Sequence, residues 1–280
     1  FVELTRLNKP IGYMLLFWPC SWGLAYAYYF NNTFNLFLYY LVLFFLGSVL
    51  MRSAGCIVND IVDRKIDIKV KRTKNRPIAS KKISVKLAIF YSFFLCLIAF
   101  FILIQFNYFT ILLGLSSMFL AFSYPFMKRI TYWPQLFLGI TFNWGMIMAW
   151  TAMLNNLSAE IIILYFSAIF WTLGYDTIYG TQDISDDEII GLKSTAIKFK
   201  NNIKKFVTFS YLITISTLIY LFYDTLKFNF SSFFIFLFIA SLIYQLFIFK
   251  KDSPISCLES FKSNNYSGLF LFMGIFLGNI

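Results

Sequence analysis

Most of the acidic residues of this chain lie in two short stretches that follow apolar runs. Eight of the 13 are Asp60, Asp63 and Asp67 in the first stretch, and Asp176, Asp183, Asp186, Asp187 and Glu188 in or just before the second. In a helix, Asn59, Asp63 and Asp67 would recur every four residues and share one face. Asp183 and Asp187 repeat that spacing. The repeat indicates one site built from two helix ends.

Carboxylates at this spacing require a positive partner. Like charges four residues apart on a helix repel by roughly a few tenths of a kcal/mol in water, and the cost grows near a bilayer. The chain has no histidine, and its four cysteines are far apart without a CxxC pair. Zinc sites, haem ligation, His-based catalysis and a disulfide framework are therefore excluded. Oxygen-only donors favour a hard cation, Mg²⁺ or Ca²⁺, and Mg²⁺ completes its shell with water and phosphate oxygens.

Cations follow each acidic stretch. Lys193 comes just after the second, and those after the first are Lys69, Lys71, Arg72, Lys74 and Arg76. Mg²⁺ together with Lys and Arg is what a diphosphate requires, because these charges stabilise a phosphate leaving group. Two other interpretations stay open: solvated helix ends beside basic loops, or basic loops that bind anionic lipid heads. The matched spacing of the two stretches favours the diphosphate site.

The elements that must position these residues are membrane-spanning helices. The chain is 59% hydrophobic, 22% aromatic and only 13% charged, whereas a soluble domain carries about a quarter charged residues. Nine continuous apolar segments occur, and the first eight approach or exceed the ~20 residues that cross a bilayer: 11–30, 34–58, 87–105, 107–127, 134–154, 160–180, 206–223, 229–249 and 266–280. Continuous runs argue for helices and against a barrel. We predict one all-α transmembrane domain over 1–280, and a large soluble helical protein is the disfavoured alternative.

The basic residues predict its orientation. If the chain crosses the membrane nine times, alternate loops lie on the same face. All 24 Lys and Arg except Lys227 then lie on one face. The positive-inside rule makes that face cytoplasmic, with the N-terminus and the loops 59–86 and 181–205 inside. The net charge of +11 therefore indicates topology rather than nucleic-acid binding. The first segment is expected to be a spanning helix, because it is too long for a cleaved signal.

Four stretches resemble motifs of the UbiA-type intramembrane aromatic prenyltransferases. "NDIVDRKIDIKVKRTKNRPIAS" is similar to the NDxxDxxxD…RTxxRPxxS signature of that family. "YDTIYGTQDISDDEIIGLKS" resembles the second motif, in the form found in members that prenylate 4-hydroxybenzoate. "RLNKPIGYMLLFWPCSWGL" and "SYPFMKRITYWPQLFLG" resemble the opening segment and the central loop of the same members. The resemblance extends from about residue 6 to residue 270.

The resemblance implies a nine-helix bundle around a central cavity capped by cytoplasmic loops. The implied reaction is Mg²⁺-dependent transfer of a polyprenyl group from polyprenyl diphosphate to the carbon ortho to the hydroxyl of 4-hydroxybenzoate, in ubiquinone biosynthesis. The implied ligands of Mg²⁺ are Asn59, Asp63, Asp67, Asp183 and Asp187. The expected location is a bacterial inner membrane, with the mitochondrial inner membrane as the alternative.

Further residues receive roles in this scheme. Arg72, Lys193 and Lys128 are expected to contact the phosphates. The other four candidates are Tyr124 and Tyr175, which would stabilise an allylic cation by cation–π attraction, Arg129, which would bind the acceptor carboxylate, and Asp176. Asp176 lies within an apolar run, a costly position that indicates function. Its role stays open between metal binding, proton acceptance and orientation of an arginine.

Other functional classes explain the sequence less well. A transporter or channel would place its carboxylates on broken helices at mid-membrane, whereas both stretches here lie at one end of the bundle. A CDP-alcohol phosphotransferase would need a DGxxAR stretch, which the chain lacks. Within the resembling family, haem-farnesylating, menaquinone-type and chlorophyll-type members stay possible, although the YDTxY and GLKS elements favour the 4-hydroxybenzoate form.

Overall fold

The computed structural model describes residues 1–70 and 73–278, and within these ranges every regular element is helical. In chain order the helices are α1 (Val2–Thr5), α2 (Ile11–Asn31), α3 (Phe34–Asp67), α4 (Val85–Leu103), α5 (Tyr108–Ile130), α6 (Pro134–Leu154), α7 (Ala159–Gly180), α8 (Ile184–Ile190), α9 (Thr195–Lys198), α10 (Ile203–Phe222), α11 (Phe230–Ile248) and α12 (Pro254–Leu277). Short 3₁₀ turns at Thr181–Asp183 and Tyr223–Thr225 follow α7 and α10.

Nine of the helices in the described part of the chain are long, and seven of them are both long and apolar enough to cross a membrane: those that begin at Phe34, Val85, Tyr108, Pro134, Ala159, Ile203 and Phe230. The other two long helices, α2 and α12, have 21 and 24 residues and pack against each other. The prediction of an all-α membrane helix bundle is confirmed, and nine is an approximate count of its crossings.

Helix α3 continues well beyond the predicted apolar segment 34–58. It has 34 residues, so at 1.5 Å per residue it is about 51 Å long, more than the ~30 Å of a hydrocarbon core. The extra turns carry the first acidic stretch on a continuous helix, with Asp67 as its last residue. The spacing of Asn59, Asp63 and Asp67 therefore does place them on one helix face.

Helix α12 begins twelve residues before the predicted segment 266–280. The polar residues in its first half concealed it in the sequence, but several of them are satisfied inside the bundle. Asn264 Oδ1 accepts hydrogen bonds from Trp171 Nε1 at 2.9 Å and from Gln245 Nε2 at 3.1 Å, and Gln245 also accepts one from Tyr211. These bonds join α12 to α7 and α11, and α11 to α10, and each interhelical bond in a membrane contributes about 0.6 kcal/mol.

Helix α2 lies centrally, in contact with α3, α6 and α12. Two glycines set its distance from its neighbours. A Cβ at Gly23 would lie 2.4 Å from the carbonyl oxygen of Met146, and one at Gly268 would lie 2.3 Å from the Trp18 ring. Small residues let membrane helices approach closely and gain van der Waals contact. Trp22 is buried beside Trp171, with ring centroids 4.9 Å apart, which packs α2 against α7.

The connection after α8 is fixed against α6 and α7. The Thr195 backbone N–H donates to Gln135 Oε1 at 2.9 Å, and the Thr195 and Thr177 hydroxyls are 2.7 Å apart. The Ser194 side chain accepts a hydrogen bond from Ile197 N and caps α9. These contacts hold the second acidic stretch close to the end of α5, because the Lys193 backbone N–H donates to the Lys128 carbonyl at 2.8 Å.

The orientation can be tested by cysteine labelling in a variant without the four native cysteines. We expect Ser80→Cys and Asn201→Cys to react with a membrane-impermeant maleimide only after permeabilisation, because the positive-inside rule places both loops in the cytoplasm. Lys227→Cys should react in intact spheroplasts. All three positions are exposed, whereas Ser194 is buried and unsuitable. Labelling of Ser80→Cys and Asn201→Cys in intact spheroplasts would reverse the orientation.

Candidate active site

A polar cavity of about 220 Å³ lies where α3, α5 and α7 end on the same side of the bundle. The residues of its wall come from five parts of the chain: the N-terminal segment, the end of α3 with the loop after it, the end of α5, the start of α6, and the end of α7 with the segment up to residue 194. Acidic and basic side chains face each other across it, and both acidic stretches contribute. The arrangement confirms that the two stretches approach one another in space.

The first acidic stretch divides between two roles. Asn59, Asp63 and Asp67 line the cavity, whereas Asp60 is absent from the described lining. Asp60 is 2% exposed and accepts hydrogen bonds from Arg6 Nη2 at 2.5 Å and Arg76 Nη1 at 3.2 Å. A buried carboxylate is tolerated when it is paired and hydrogen-bonded. Asp60 therefore attaches the N-terminal segment and the loop after α3 to the helix.

The two cavity aspartates of α3 are buried and ion-paired. Lys128 Nζ donates to Asp63 Oδ2, and Arg129 Nη2 lies 3.2 Å from Asp63 Oδ1. Arg76 Nη1 lies 3.0 Å from both oxygens of Asp67. The pairing is what Coulomb attraction and desolvation demand, because two carboxylates on one face cannot remain unpaired near hydrocarbon. Any metal or phosphate that enters must exchange partners with these cations.

The second acidic stretch lies where a helix ends. Helix α7 ends at Gly180, a 3₁₀ turn ends at Asp183, and α8 carries Asp187 one turn further on. Asp176 lies two turns before Asp183 and lines the same cavity. Gly191, with φ +80°, is left-handed at the end of α8, a conformation that favours glycine. Asp183 and Asp187 follow the end of α7 and line the cavity together with Asp176, which lies before it.

The structure brings together nine of the twelve site residues predicted from the sequence: Asn59, Asp63, Asp67, Tyr124, Lys128, Asp176, Asp183, Asp187 and Lys193. Arg129 does not line the cavity but pairs with Asp63 from a more exposed position. Tyr175 is buried in the core against Trp171 and Phe261, away from the described lining. Arg72 lies outside the described residues.

Sequence reasoning did not select several residues of the lining: Arg6, Thr73, Arg76, Gln135, Tyr179 and Ser194. Arg76 is one of the quoted RTxxRP residues, but the motif does not show which of the basic residues of this loop meets Asp67. Thr73 donates to the Asp67 carbonyl at 3.1 Å and so turns the loop back over α3. Gln135 lies in an apolar helix, where an uncharged polar residue is only weak evidence of a functional site.

An apolar cavity of about 460 Å³ adjoins the polar one. Asn59 and Tyr124 belong to both walls. Aliphatic and aromatic side chains of α3–α6 form most of the second cavity, among them Phe44, Phe100, Phe106, Leu103, Met118 and Met148. Phe93 and Leu115 in its wall are 65% and 48% exposed, so the cavity opens towards lipid. A long apolar chain can enter there while its polar end reaches the carboxylates.

Arg52 is a charged residue in the wall of the apolar cavity, two turns before Asn59 on α3. Its guanidinium carbon lies 5.3 Å from the centre of the Phe142 ring, a cation–π contact. Its Nε is buried, and no described residue accepts a hydrogen bond from it. A Cβ at Gly12 would lie 2.9 Å from that Nε, so the guanidinium packs closely against the start of α2. An arginine held in this way favours an anionic partner.

The donor set fits a magnesium–diphosphate complex. The candidate ligands are carboxylate and amide oxygens, the donors that Mg²⁺ prefers. No group of three or more His, Cys, Asp or Glu among the described residues is close enough to enclose a metal ion by itself. Mg²⁺ takes one or two carboxylates from a protein and the rest of its oxygens from water and phosphate.

Comparison with known proteins identifies the family. The family model described as the UbiA prenyltransferase family matches residues 16–274. A mitochondrial 4-hydroxybenzoate polyprenyltransferase of Drosophila pseudoobscura pseudoobscura is 41% identical over 284 residues, which span 100% of this chain and 70% of the relative. A 4-hydroxybenzoate octaprenyltransferase of Vibrio atlanticus (strain LGP32) is 40% identical over 284 residues, 98% of this chain and 95% of the relative.

A solved structure shares the fold. It is a UbiA homolog from Archaeoglobus fulgidus bound to DMAPP and Mg²⁺, with a TM-score of 0.72, 20% sequence identity, and coverage of 98% of each chain. At that identity the similarity concerns the fold. The match of the family model over most of the chain, the identity to both relatives and the two facing acidic stretches agree. The chain belongs to the UbiA prenyltransferase family.

Proposed function

We propose that this protein transfers a polyprenyl group from polyprenyl diphosphate to the ring carbon ortho to the hydroxyl of 4-hydroxybenzoate, in ubiquinone biosynthesis. The observation that carries the proposal is the shared wall of the two cavities at Asn59 and Tyr124. One cavity suits a diphosphate and the other a long apolar chain, and they meet where a C–O bond between the two would lie. The names of the curated relatives supply the acceptor.

The polar cavity binds the diphosphate end of the donor. Each Mg²⁺ in the cavity would take one or two carboxylates from Asp63, Asp67, Asp183 and Asp187, with Asn59 as a further oxygen donor. The metal would neutralise the charge that develops on the leaving diphosphate. Magnesium in the Archaeoglobus fulgidus structure supports this assignment. Lys128 and Lys193 line the cavity beside Arg76, and these cations bind phosphate oxygens when Asp63 and Asp67 turn to the metal. Arg72 keeps its predicted phosphate role as an untested assignment.

The apolar cavity protects the reacting carbon. When the C–O bond to diphosphate breaks, the electron pair leaves with the diphosphate and an allylic cation remains. Water would quench that cation, so a wall of aromatic and aliphatic side chains is required. Tyr124 lies in both walls, where its ring can stabilise the cation by cation–π attraction. Tyr175, the other predicted candidate, is buried in the core and does not belong to the described lining of either cavity.

The acceptor must be held by its carboxylate beside the cation. Arg129 was predicted for this task, but it already contacts Asp63 and the Val62 carbonyl, and its side chain is 39% exposed. Arg52 lies in the wall of the cavity with an Nε that no described residue uses. We therefore assign the carboxylate to Arg52. After the new C–C bond forms, the ring carbon loses its proton, and Asp176 in the adjoining wall accepts it.

The protein is a multi-span membrane protein whose curated relatives include mitochondrial and bacterial members. We place it in an inner membrane with the active site towards the cytoplasm or its mitochondrial equivalent, the matrix. The basic loops support that orientation, because they surround the polar cavity. A transporter would hold its carboxylates at mid-membrane, whereas those of α3 lie in its last turns.

The activity itself can be tested with membranes that contain the protein, labelled 4-hydroxybenzoate and a polyprenyl diphosphate. Label should become extractable into organic solvent only when both substrates are present. If a preparation shown to be folded leaves the label unprenylated with donors of every tested chain length, the proposal is contradicted.

Activity should require a divalent metal and the carboxylates of both acidic stretches. Excess EDTA should abolish product formation and Mg²⁺ should restore it. Asp63→Ala and Asp183→Ala should each lower the rate at least ~100-fold, because a positioned metal ion contributes several kcal/mol to such a reaction. Asp186→Ala is the matched control, since Asp186 lies in the same acidic stretch but outside the described lining. Full turnover in EDTA, or equal rates in all three variants, would contradict the proposed metal site.

Substitution of the two arginines distinguishes the assignments for the acceptor. A charge-assisted bond in a poorly solvated site contributes about 1.5–3 kcal/mol, so Arg52→Ala should raise the KM for 4-hydroxybenzoate roughly ten- to a hundredfold. Its KM for the polyprenyl diphosphate should change little, and Lys should restore only part of the loss because it lacks the planar fork.

Arg129→Ala serves as the comparison, measured as the same pair of saturation curves. We expect a smaller change, because the Asp63 carboxylate keeps Lys128 as a partner. If Arg129→Ala raises the KM for the aromatic substrate and Arg52→Ala does not, the assignment from the sequence is correct and that from the structure is wrong. If the diphosphate curve shifts instead, the arginine in question belongs to the phosphate site.

A further inference from the structure

A groove of about 640 Å³ lies on the outer surface of the bundle, apart from both cavities of the active site. One side is the start of α10, and the other is the loop that follows α11, with Phe249 and Lys251. The groove lies near the second acidic stretch, because Lys200 at its rim donates to both oxygens of Glu188, at 2.9 and 2.7 Å. It is therefore on the same side of the membrane as the polar cavity.

The upper part of the groove is strongly basic. Four lysines contribute to the wall, and no described residue of the lining is acidic: Lys200, Lys204, Lys205 and Lys251. All four are exposed. Asn201 and Asn202 lie between them and add amide donors. Such a set attracts a phosphate, and lysines at a membrane surface attract anionic lipids in particular.

The lower part of the groove is apolar and lies deeper along α10. Lys205, Phe209 and Leu212 follow one another at spacings of four and three residues, which places them on one helix face. Leu212 is seven residues beyond Lys205, so it lies about 10 Å further along the helix axis. Phe209 and Leu212 are 60% and 55% exposed. The wall thus changes from cationic to hydrocarbon-like over one side of a spanning helix.

We propose that this groove is a binding site for an anionic glycerophospholipid of the membrane leaflet on the active-site side. The lipid phosphate lies among Lys204, Lys205 and Lys251, and an acyl chain covers Phe209 and Leu212. The positive charge of the wall favours an anionic lipid over a zwitterionic one. The apolar part of the groove favours a lipid over a soluble phosphate, because a phosphate would leave Phe209 and Leu212 uncovered. The site goes beyond the proposed reaction, because no residue of the described groove lining lines either active-site cavity.

The test is lipid binding to the full chain in a zwitterionic detergent, measured by native mass spectrometry. Phosphatidylglycerol should bind more tightly than phosphatidylcholine. Lys204→Gln with Lys205→Gln should weaken phosphatidylglycerol binding about thirtyfold, the effect of two lysines at a membrane surface. Arg at both positions should restore it. The matched control is Lys82→Gln with Lys86→Gln, which removes the same charge from exposed positions at and just before the start of α4, a helix end that is expected on the same face.

Three outcomes would overturn the proposal. Equal weakening in the control would mean that any basic loop of this face attracts the lipid. Equal binding of phosphatidylglycerol and phosphatidylcholine by the wild-type chain would contradict the proposed selectivity for anionic lipid. Displacement of the bound lipid by millimolar inorganic phosphate would assign the lysines to a soluble anion. Unchanged thermal unfolding of the double variant shows that lost binding does not reflect a lost fold.

Discussion

The structure depends on the neutralisation of buried carboxylates at the edge of a bilayer. Asp60, Asp63 and Asp67 are each at most 5% exposed, and a buried charge without a partner costs about 3–5 kcal/mol. Their partners come from other parts of the chain: Arg6 from the N-terminal segment, Arg76 from the loop after α3, and Lys128 from the end of α5. The ion pairs thereby bring these three segments together over one helix end.

The same pairing leaves the site ready for its substrate. A diphosphate and a metal carry opposite charges, so each can replace one half of an existing ion pair without an uncompensated charge. In the proposed reaction, Lys128 and Arg76 would pass from carboxylate to phosphate, while the aspartates would bind the metal. The nearby apolar cavity supplies the complementary condition, since an allylic cation survives only where water is excluded. The proposed reaction would therefore use two adjacent cavities, one polar and one apolar, that share Asn59 and Tyr124.

Polar contacts also shape the rest of the bundle. The bonds among Trp171, Gln245 and Asn264 join three helices inside the membrane, where no water is available to hydrogen-bond a polar group. Close glycine contacts at Gly23 and Gly268 bring α2 against its neighbours. These contacts hold α2, α6, α7, α11 and α12 together. The cavity that opens towards lipid lies mainly among α3–α6, and the lysine groove lies on the outer surface beside α10.

The sequence determined the helices, their approximate ends and the face that carries the acidic residues, because hydrophobic runs and four-residue spacings are local properties. It also selected nine residues of the polar lining. Five are carboxylates, which need a specific reason beside hydrocarbon, and the other four were selected because they lie near the acidic stretches or in motifs that resemble those of the family. Only the tertiary structure decided which cation meets which aspartate, and it selected Arg76 from a run of similar residues. It also placed Tyr175 in the core and Arg52 in the apolar wall, and revealed the early start of α12. Each of these depends on contacts between distant parts of the chain, which no local pattern encodes.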